Sequence, residues 1–183
     1  MSGIEKALSM PDGARFHLCA LQVNAHHYEA TFRGRETSGD PAEHATEIVT
    51  KAMELGIRVL GITGHNHVGG VAPFRTAAEG TGIHLFPGFE LKSSEGIHVL
   101  CVYSEDTEEG RLVRFLGEFG ITDPAPTSDL ANMTFVQILA KVREQGGVAI
   151  AAHATNEGGL LKGLSGQSRV HAWRSEDLLA IQI

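Results

Sequence analysis

The sequence is poor in cysteine, aromatic residues and positive charge, and it contains no long apolar run. Its two cysteines, Cys19 and Cys101, each lie in a short apolar stretch. That excludes a disulfide framework and a thiolate zinc site, and reads as two buried thiols. Fifteen lysines and arginines stand against 22 aspartates and glutamates, a formal charge of −7. A broad basic face for nucleic acid is therefore excluded, and any phosphate ligand needs local positive charge. Residues 1–11 carry Glu5 and Lys6 and too short an apolar stretch for a signal peptide, and no later stretch is long enough to cross a bilayer. A soluble, cytoplasmic protein without a membrane partner is expected. Six prolines among 183 residues, with 42% hydrophobic composition, exclude a disordered or collagen-like chain and indicate one folded domain over 1–183.

Glycine (22) and histidine (10) are plentiful. Glycine serves tight turns between short elements, and so many imidazoles exceed what packing requires. After the turn Pro11-Asp12-Gly13, the apolar run Phe16 to Val23 reads as a first strand. A polar segment, Asn24 to Gly39, with His26, His27, Tyr28, Arg33, Arg35 and Glu36 and no clean periodicity, follows and reads as a loop. Asp40-Pro41-Ala42-Glu43 then predicts a helix, with Asp40 as N-cap, Pro41 in its first turn and Glu43 closing a capping box. Ala45, Ile48, Val49 and Ala52 form its apolar face, and Gly56 ends it.

Further strands are expected at Ile57 to Thr63, Ile83 to Phe86 leading on to Leu91, Gly96 to Tyr103, Val148 to Ala152 and Leu178 to Ile183. Helices are expected around Pro73 to Glu79, along the face Leu112, Phe115, Leu116 and Phe119, and after a Thr134/Gln137 capping box with Phe135, Ile138, Leu139 and Val142 buried. Gly158 to Ser168 reads as irregular, and Val170 to Trp173 as a short helical piece. Strands alternating with helices predict an α/β fold with parallel pairing, a barrel or doubly wound sheet covered on both faces. The final apolar run has no cap, which suggests a domain lacking its C-terminal strands.

In parallel α/β folds the carboxyl ends of the strands build the site. Here Gln22 and Asn24 end the first strand, His65 follows the second, Glu90 the third and His153 the fifth, while His98 lies within the fourth. Taken singly, each histidine reads as a packing or hydrogen-bonding residue. Jointly, His65, Glu90, His98 and His153 read as a divalent-metal site: imidazoles give directional nitrogens, and a glutamate offsets charge and can bridge two ions. His26, His27 and His67 lie in loops close enough to join that site, but read first as solvated loop residues, and His17, His44, His84 and His171 as surface or packing residues. Gly158-Gly159 and Gly163 with Lys162 fail the spacing of a nucleotide-binding loop, and Leu164-Ser165-Gly166-Gln167 resembles a transporter-ATPase signature over four residues only.

These residues resemble the polymerase and histidinol phosphatase (PHP) superfamily of metal-dependent phosphoesterases. Thr63-Gly64-His65-Asn66 is similar to its T-D-H motif, Gly88-Phe89-Glu90 and Gly96-Ile97-His98 to its Gly-x-Glu and G-x-H motifs, and Ala152-His153 to its later histidine. The resemblance runs from about Phe16 to Ile183 and is strongest to long PHP proteins that carry an ATPase region after the metal domain. It implies a distorted (β/α) TIM-like barrel, truncated after about six strands. It also implies a divalent metal (Mn, Zn or Mg) at His65, Glu90, His98 and His153, and hydrolysis of a phosphoester in a phosphorylated small molecule, nucleotide or nucleic acid. Departures are equally clear. The D-L-H-x-H motif falls on Ala20-Leu21-Gln22-Val23-Asn24, and Gly64 replaces an acid. The amide oxygens of Gln22 and Asn24 then read as weak ligands for a hard ion, or as marks of a degenerate domain serving as a platform for an attached ATPase. A related metal-dependent amidohydrolase is the third reading. No catalytic base is assigned.

Overall fold

A computed structural model describes residues 17–28 and 39–183. The expected turn at Pro11-Asp12-Gly13, the strand start at Phe16, and Arg33, Arg35 and Glu36 lie outside them. The fold is α/β. Six strands, β1 (Leu18–Val23), β2 (Ile57–His65), β3 (His84–Lys92), β4 (His98–Val102), β5 (Val148–Ala151) and β6 (Ala180–Ile181), form one sheet in chain order. Six helices with full bounds accompany them: α1 (Pro41–Glu54), α2 (Val71–Ala78), α3 (Glu109–Glu118), α4 (Phe135–Glu144), α5 (Leu160–Gly163) and α6 (Gly166–Trp173); residues 26–28, in the segment expected to be a loop, are also helical. The segment expected to be irregular thus contains the turn of α5 and the start of α6. None of these helices is long and apolar enough to cross a membrane.

The helix signals operate as local chemistry dictates. Asp40 Oδ1 accepts from the amides of Ala42 (2.7 Å) and Glu43 (2.9 Å), so a single acceptor caps α1 where a reciprocal box is expected. Gly56 follows α1 with φ +71°, a conformation that costs a residue with a β-carbon. Thr134 and Gln137 do form a reciprocal box at α4, and Phe135, Ile138, Leu139 and Val142 are all buried beneath it.

Pairing departs from the all-parallel expectation at one strand. β1–β2, β2–β3 and β5–β6 are parallel, but β4 runs antiparallel to both β3 and β5. The five residues between β3 and β4 cannot make a crossover, which takes a dozen or more. Instead Ser93 closes a hairpin: its amide donates to Ile97 O (2.8 Å), and its hydroxyl accepts from the amides of Glu95 and Ile97 (3.2 Å each).

The two faces of the sheet differ. Phe89, Leu91, Val99, Cys101, Ala149 and Ala151 point outward into the main core beneath the helices. Leu21, Phe86, Leu100, Val102, Ile150 and Ala152 form a smaller cluster on the other face. That face curls inward as a half-barrel: Gln182 beside β6 hydrogen-bonds Gln22 of β1 (3.1 Å), with a cavity of about 270 Å³ lined by Leu21, Gln22, Leu100, Ile150, Ile181 and Gln182. Cys101 is buried as expected, but Cys19 is exposed, because β1 lies at the sheet edge and Leu18 beside it is 60% exposed.

Candidate metal centre

Register brings the sequence-predicted residues together at the rim of the inner face. His65 and Glu90 are direct neighbours across the parallel β2–β3 pair. Lys92 pairs with His98 and Glu90 with Leu100 across the β3–β4 hairpin, so Glu90 and His98 are diagonal and share a face. Since β4 is reversed, its first residue lies beside the last residues of β2 and β3, and His98 reaches the rim from the opposite chain direction. His153 arrives from the loop after β5 with φ +28°, an uncommon backbone for a residue with a side chain.

Ligand atoms of His65, Glu90 and His98 lie within 4.8 Å of one another. His98 Nδ1 donates to Glu90 Oε1 (2.5 Å), and His153 Nε2 lies 3.8 Å from the same oxygen. The rings of His65 and His153 approach that of His98 with centroids at 5.1 and 4.7 Å. The opposite carboxylate oxygen, Glu90 Oε2, accepts from Gln22 Nε2 at 2.8 Å. Gly158 packs against the back of His98. Its φ is +75°, its carbonyl accepts from the His98 amide (2.8 Å), and a β-carbon there would lie 2.8 Å from His98 Cδ2.

His65 and Glu90 are each only 4% exposed. Burial drives the His65 imidazole down to about 4 despite the opposing Glu90 charge, so it is neutral at physiological pH with its nitrogen lone pair available. For Glu90, burial alone raises the carboxyl. The hydrogen bond from His98, the neighbouring histidine charges and the Gln22 amide outweigh it and hold the group below its ordinary value. Both ring nitrogens of His65, and Nδ1 of His153, are buried without a hydrogen-bond partner. Buried polar atoms are almost always paired, and unpaired imidazole nitrogens around an ionised carboxylate are the donor set a divalent cation takes.

Two expectations change. Gln22 does not turn its oxygen toward this cluster: the oxygen accepts from Gln182, and the amide nitrogen faces Glu90. Asn24 behaves differently, its Oδ1 buried without a partner. His67 is not a solvated loop residue, since its Nδ1 donates to Asp123 Oδ1 (2.7 Å) and its ring lies 4.8 Å from that of His27, beside a cavity of about 460 Å³ that His26 also lines. His44 is a packing residue, its ring edge-on to Phe74, while His84 pairs with Glu105 at the surface. Sequence reasoning missed Gln182, whose side-chain oxygen accepts from the His153 amide (3.0 Å), and Asp123. Neither carries a motif; only the polar end of an apolar strand marks Gln182.

No protein-family profile matches the chain. A 76-residue stretch, 41% of the chain, is 37% identical to an error-prone DNA polymerase of Caulobacter vibrioides, of which it spans only 7%. Three solved structures share the fold. A protein assigned as a metal-dependent phosphoesterase from Bifidobacterium adolescentis superposes with TM-score 0.54 at 15% identity, covering 75% of this chain and 71% of its own. An amidohydrolase from Chromobacterium violaceum, with sulfate and no metal, gives 0.54 at 14% identity over 89% and 75%. The lesion-specific endonuclease EndoQ from Pyrococcus furiosus gives 0.60 at 13% identity over 87% and 40%.

Proposed function

We propose that the chain is a single PHP-type metal-dependent phosphoesterase domain, in which His65, Glu90, His98 and His153 hold a divalent cation beside a phosphoester of nucleic acid or a nucleotide. The observation that carries this reading is the set of buried, unpartnered imidazole nitrogens around the ionised Glu90. Three imidazoles and one carboxylate are a nitrogen-rich set, better suited to Zn²⁺ or Mn²⁺ than to Mg²⁺. When bound, such a cation supplies an activated water and offsets phosphoryl charge, which a chain of net charge −7 otherwise opposes. The protein's own residues hold the donors still: the β2–β3 register fixes His65 against Glu90, Gly158 seats His98, and Gln182 anchors the backbone of His153. An exposed free Cys19 suits a reducing, cytoplasmic setting. The polymerase-related stretch and the endonuclease-like fold favour a nucleic-acid substrate over a phosphorylated metabolite.

A second reading, a degenerate platform within a longer polymerase- or ATPase-bearing chain, is favoured by Gln22, Asn24 and Gly64, which replace the acid and histidines of the resembled motifs. Elemental analysis and a Mn²⁺-dependent phosphodiesterase assay on a DNA oligonucleotide separate the two. The first reading expects bound metal, and turnover that falls by at least about 100-fold in Glu90→Ala. Metal without turnover that depends on Glu90 supports the platform, and absence of bound metal removes the phosphoesterase reading.

A further inference from the structure

The bonds linking Gln22, Gln182 and Glu90 have a fixed direction. The backbone N–H of His153 can only donate, so the side-chain oxygen of Gln182 must face it, as it does at 3.0 Å. The Gln182 NH₂ is thereby turned to Gln22, whose oxygen accepts at 3.1 Å. The Gln22 NH₂ is then left for Glu90 Oε2, at 2.8 Å. Reversing either carboxamide alone sets donor against donor or acceptor against carboxylate. Reversing both leaves the His153 N–H without its acceptor and turns the Gln22 oxygen toward the Glu90 carboxylate. The main chain holds Gln182 in place as well: its amide donates to Ala151 O (2.8 Å), and its carbonyl accepts from the Ala154 amide (2.7 Å).

An amide nitrogen has no lone pair to offer a cation and cannot give up its hydrogen, which takes a lone pair of the carboxylate oxygen that a bridging glutamate would present to a second ion. The His98 proton shared with Oε1 differs, because an imidazole nitrogen can release it to ligate. From this geometry we infer that the Gln22–Gln182 pair caps Glu90 Oε2 and limits the centre to one divalent ion, held among Oε1, His65, His98 and His153. Gln22 and Gln182 are positioning residues: they act through Glu90 and His153 and are not ligands. The inference rests on the metal reading above, and its test separates the two.

The full chain is titrated with Zn²⁺ and Mn²⁺ by calorimetry, and bound metal is counted by elemental analysis after gel filtration. Wild type is expected to hold one ion per chain. Gln182→Glu keeps an acceptor for the His153 amide but cannot donate to Gln22, which frees that amide to turn; the count is expected to rise to two. Gln22→Leu removes the donor to Glu90 without depending on Gln182, carries the same expectation, and serves where Gln182→Glu does not fold. Two or more ions in wild type, or a count that stays at one in folded variants, overturns the cap and leaves the metal centre standing. No ion in wild type overturns the metal reading itself and the cap with it.

Discussion

His65 and His67 stand two residues apart at the end of β2, both largely shielded from water, yet the fold treats them in opposite ways. His67 is given a carboxylate: Asp123 accepts from its Nδ1 at 2.7 Å and also takes the Val68 amide at 3.0 Å. His65 is more deeply buried and has no partner on either nitrogen. A histidine that serves structure has its hydrogen bonds met inside the protein, because an unmet buried polar group costs about 1–3 kcal/mol. One left unmet bears that cost uncompensated by the protein itself, which is why the proposed function gives His65 to a cation.

The largest expected effect that would break this contrast comes from His65→Leu. Loss of the buried imidazole is expected to weaken Zn²⁺ or Mn²⁺ binding by at least about 100-fold, judging from the 10- to 100-fold that even indirect supports of a metal site are worth. The apo protein should meanwhile keep or gain thermal stability, since two unmet nitrogens disappear. Melting with and without metal reads both, and a destabilised apo variant would mean that His65 has a structural partner after all.

Acid should expose the same residue in the metal-free wild type. Between pH 6.5 and about 4 the unfolded chain binds a proton at His65 that the folded chain refuses, so folding stability falls as pH drops through that window, by up to about 3 kcal/mol from this group. Glu90, held below its ordinary value, adds a further loss once pH falls below the usual carboxylate range. Denaturation in a chelating buffer across pH 4–7 measures the slope, and His65→Leu should flatten it.

His67→Leu inverts the first result. It leaves Asp123 without its imidazole and is expected to cost about 1–3 kcal/mol of stability with metal stoichiometry unchanged. At the small end, His84→Ala removes an exposed pair with Glu105 and should shift stability by no more than about 0.5 kcal/mol.

Much of this arrangement was legible in the chain itself. The strands and helices follow from apolar periodicity and caps, and His65, Glu90 and His153 were recognisable as polar side chains at the ends of apolar strands. His98 was harder. In an all-parallel sheet the start of β4 would lie at the wrong end, and only the length of the Ser93 to Ile97 connection signals the reversal that carries it to the rim. Cys19 looked buried because its neighbours are apolar, and periodicity does not say which strand is left at an edge. Gln22 was recognisable as a polar strand end, though not which way its amide faces; Gln182 and Asp123 were beyond reach for a simpler reason. A carboxamide or a lone acid acquires its role from partners many positions away, and nothing in its own neighbourhood announces them.

The bond between Gln22 and Gln182 joins positions 160 apart, whereas Glu90 and His98 are separated by only 8. Closing a short hairpin costs far less chain entropy than bringing distant segments together, so the rim acquires its donors in stages: the β3–β4 pair early, the clamp on His153 only when both remote segments have docked. On the proposed function, affinity for a cation would thereby measure how completely the polypeptide has been assembled, and a half-made chain would present an open rim that does not yet hold an ion firmly.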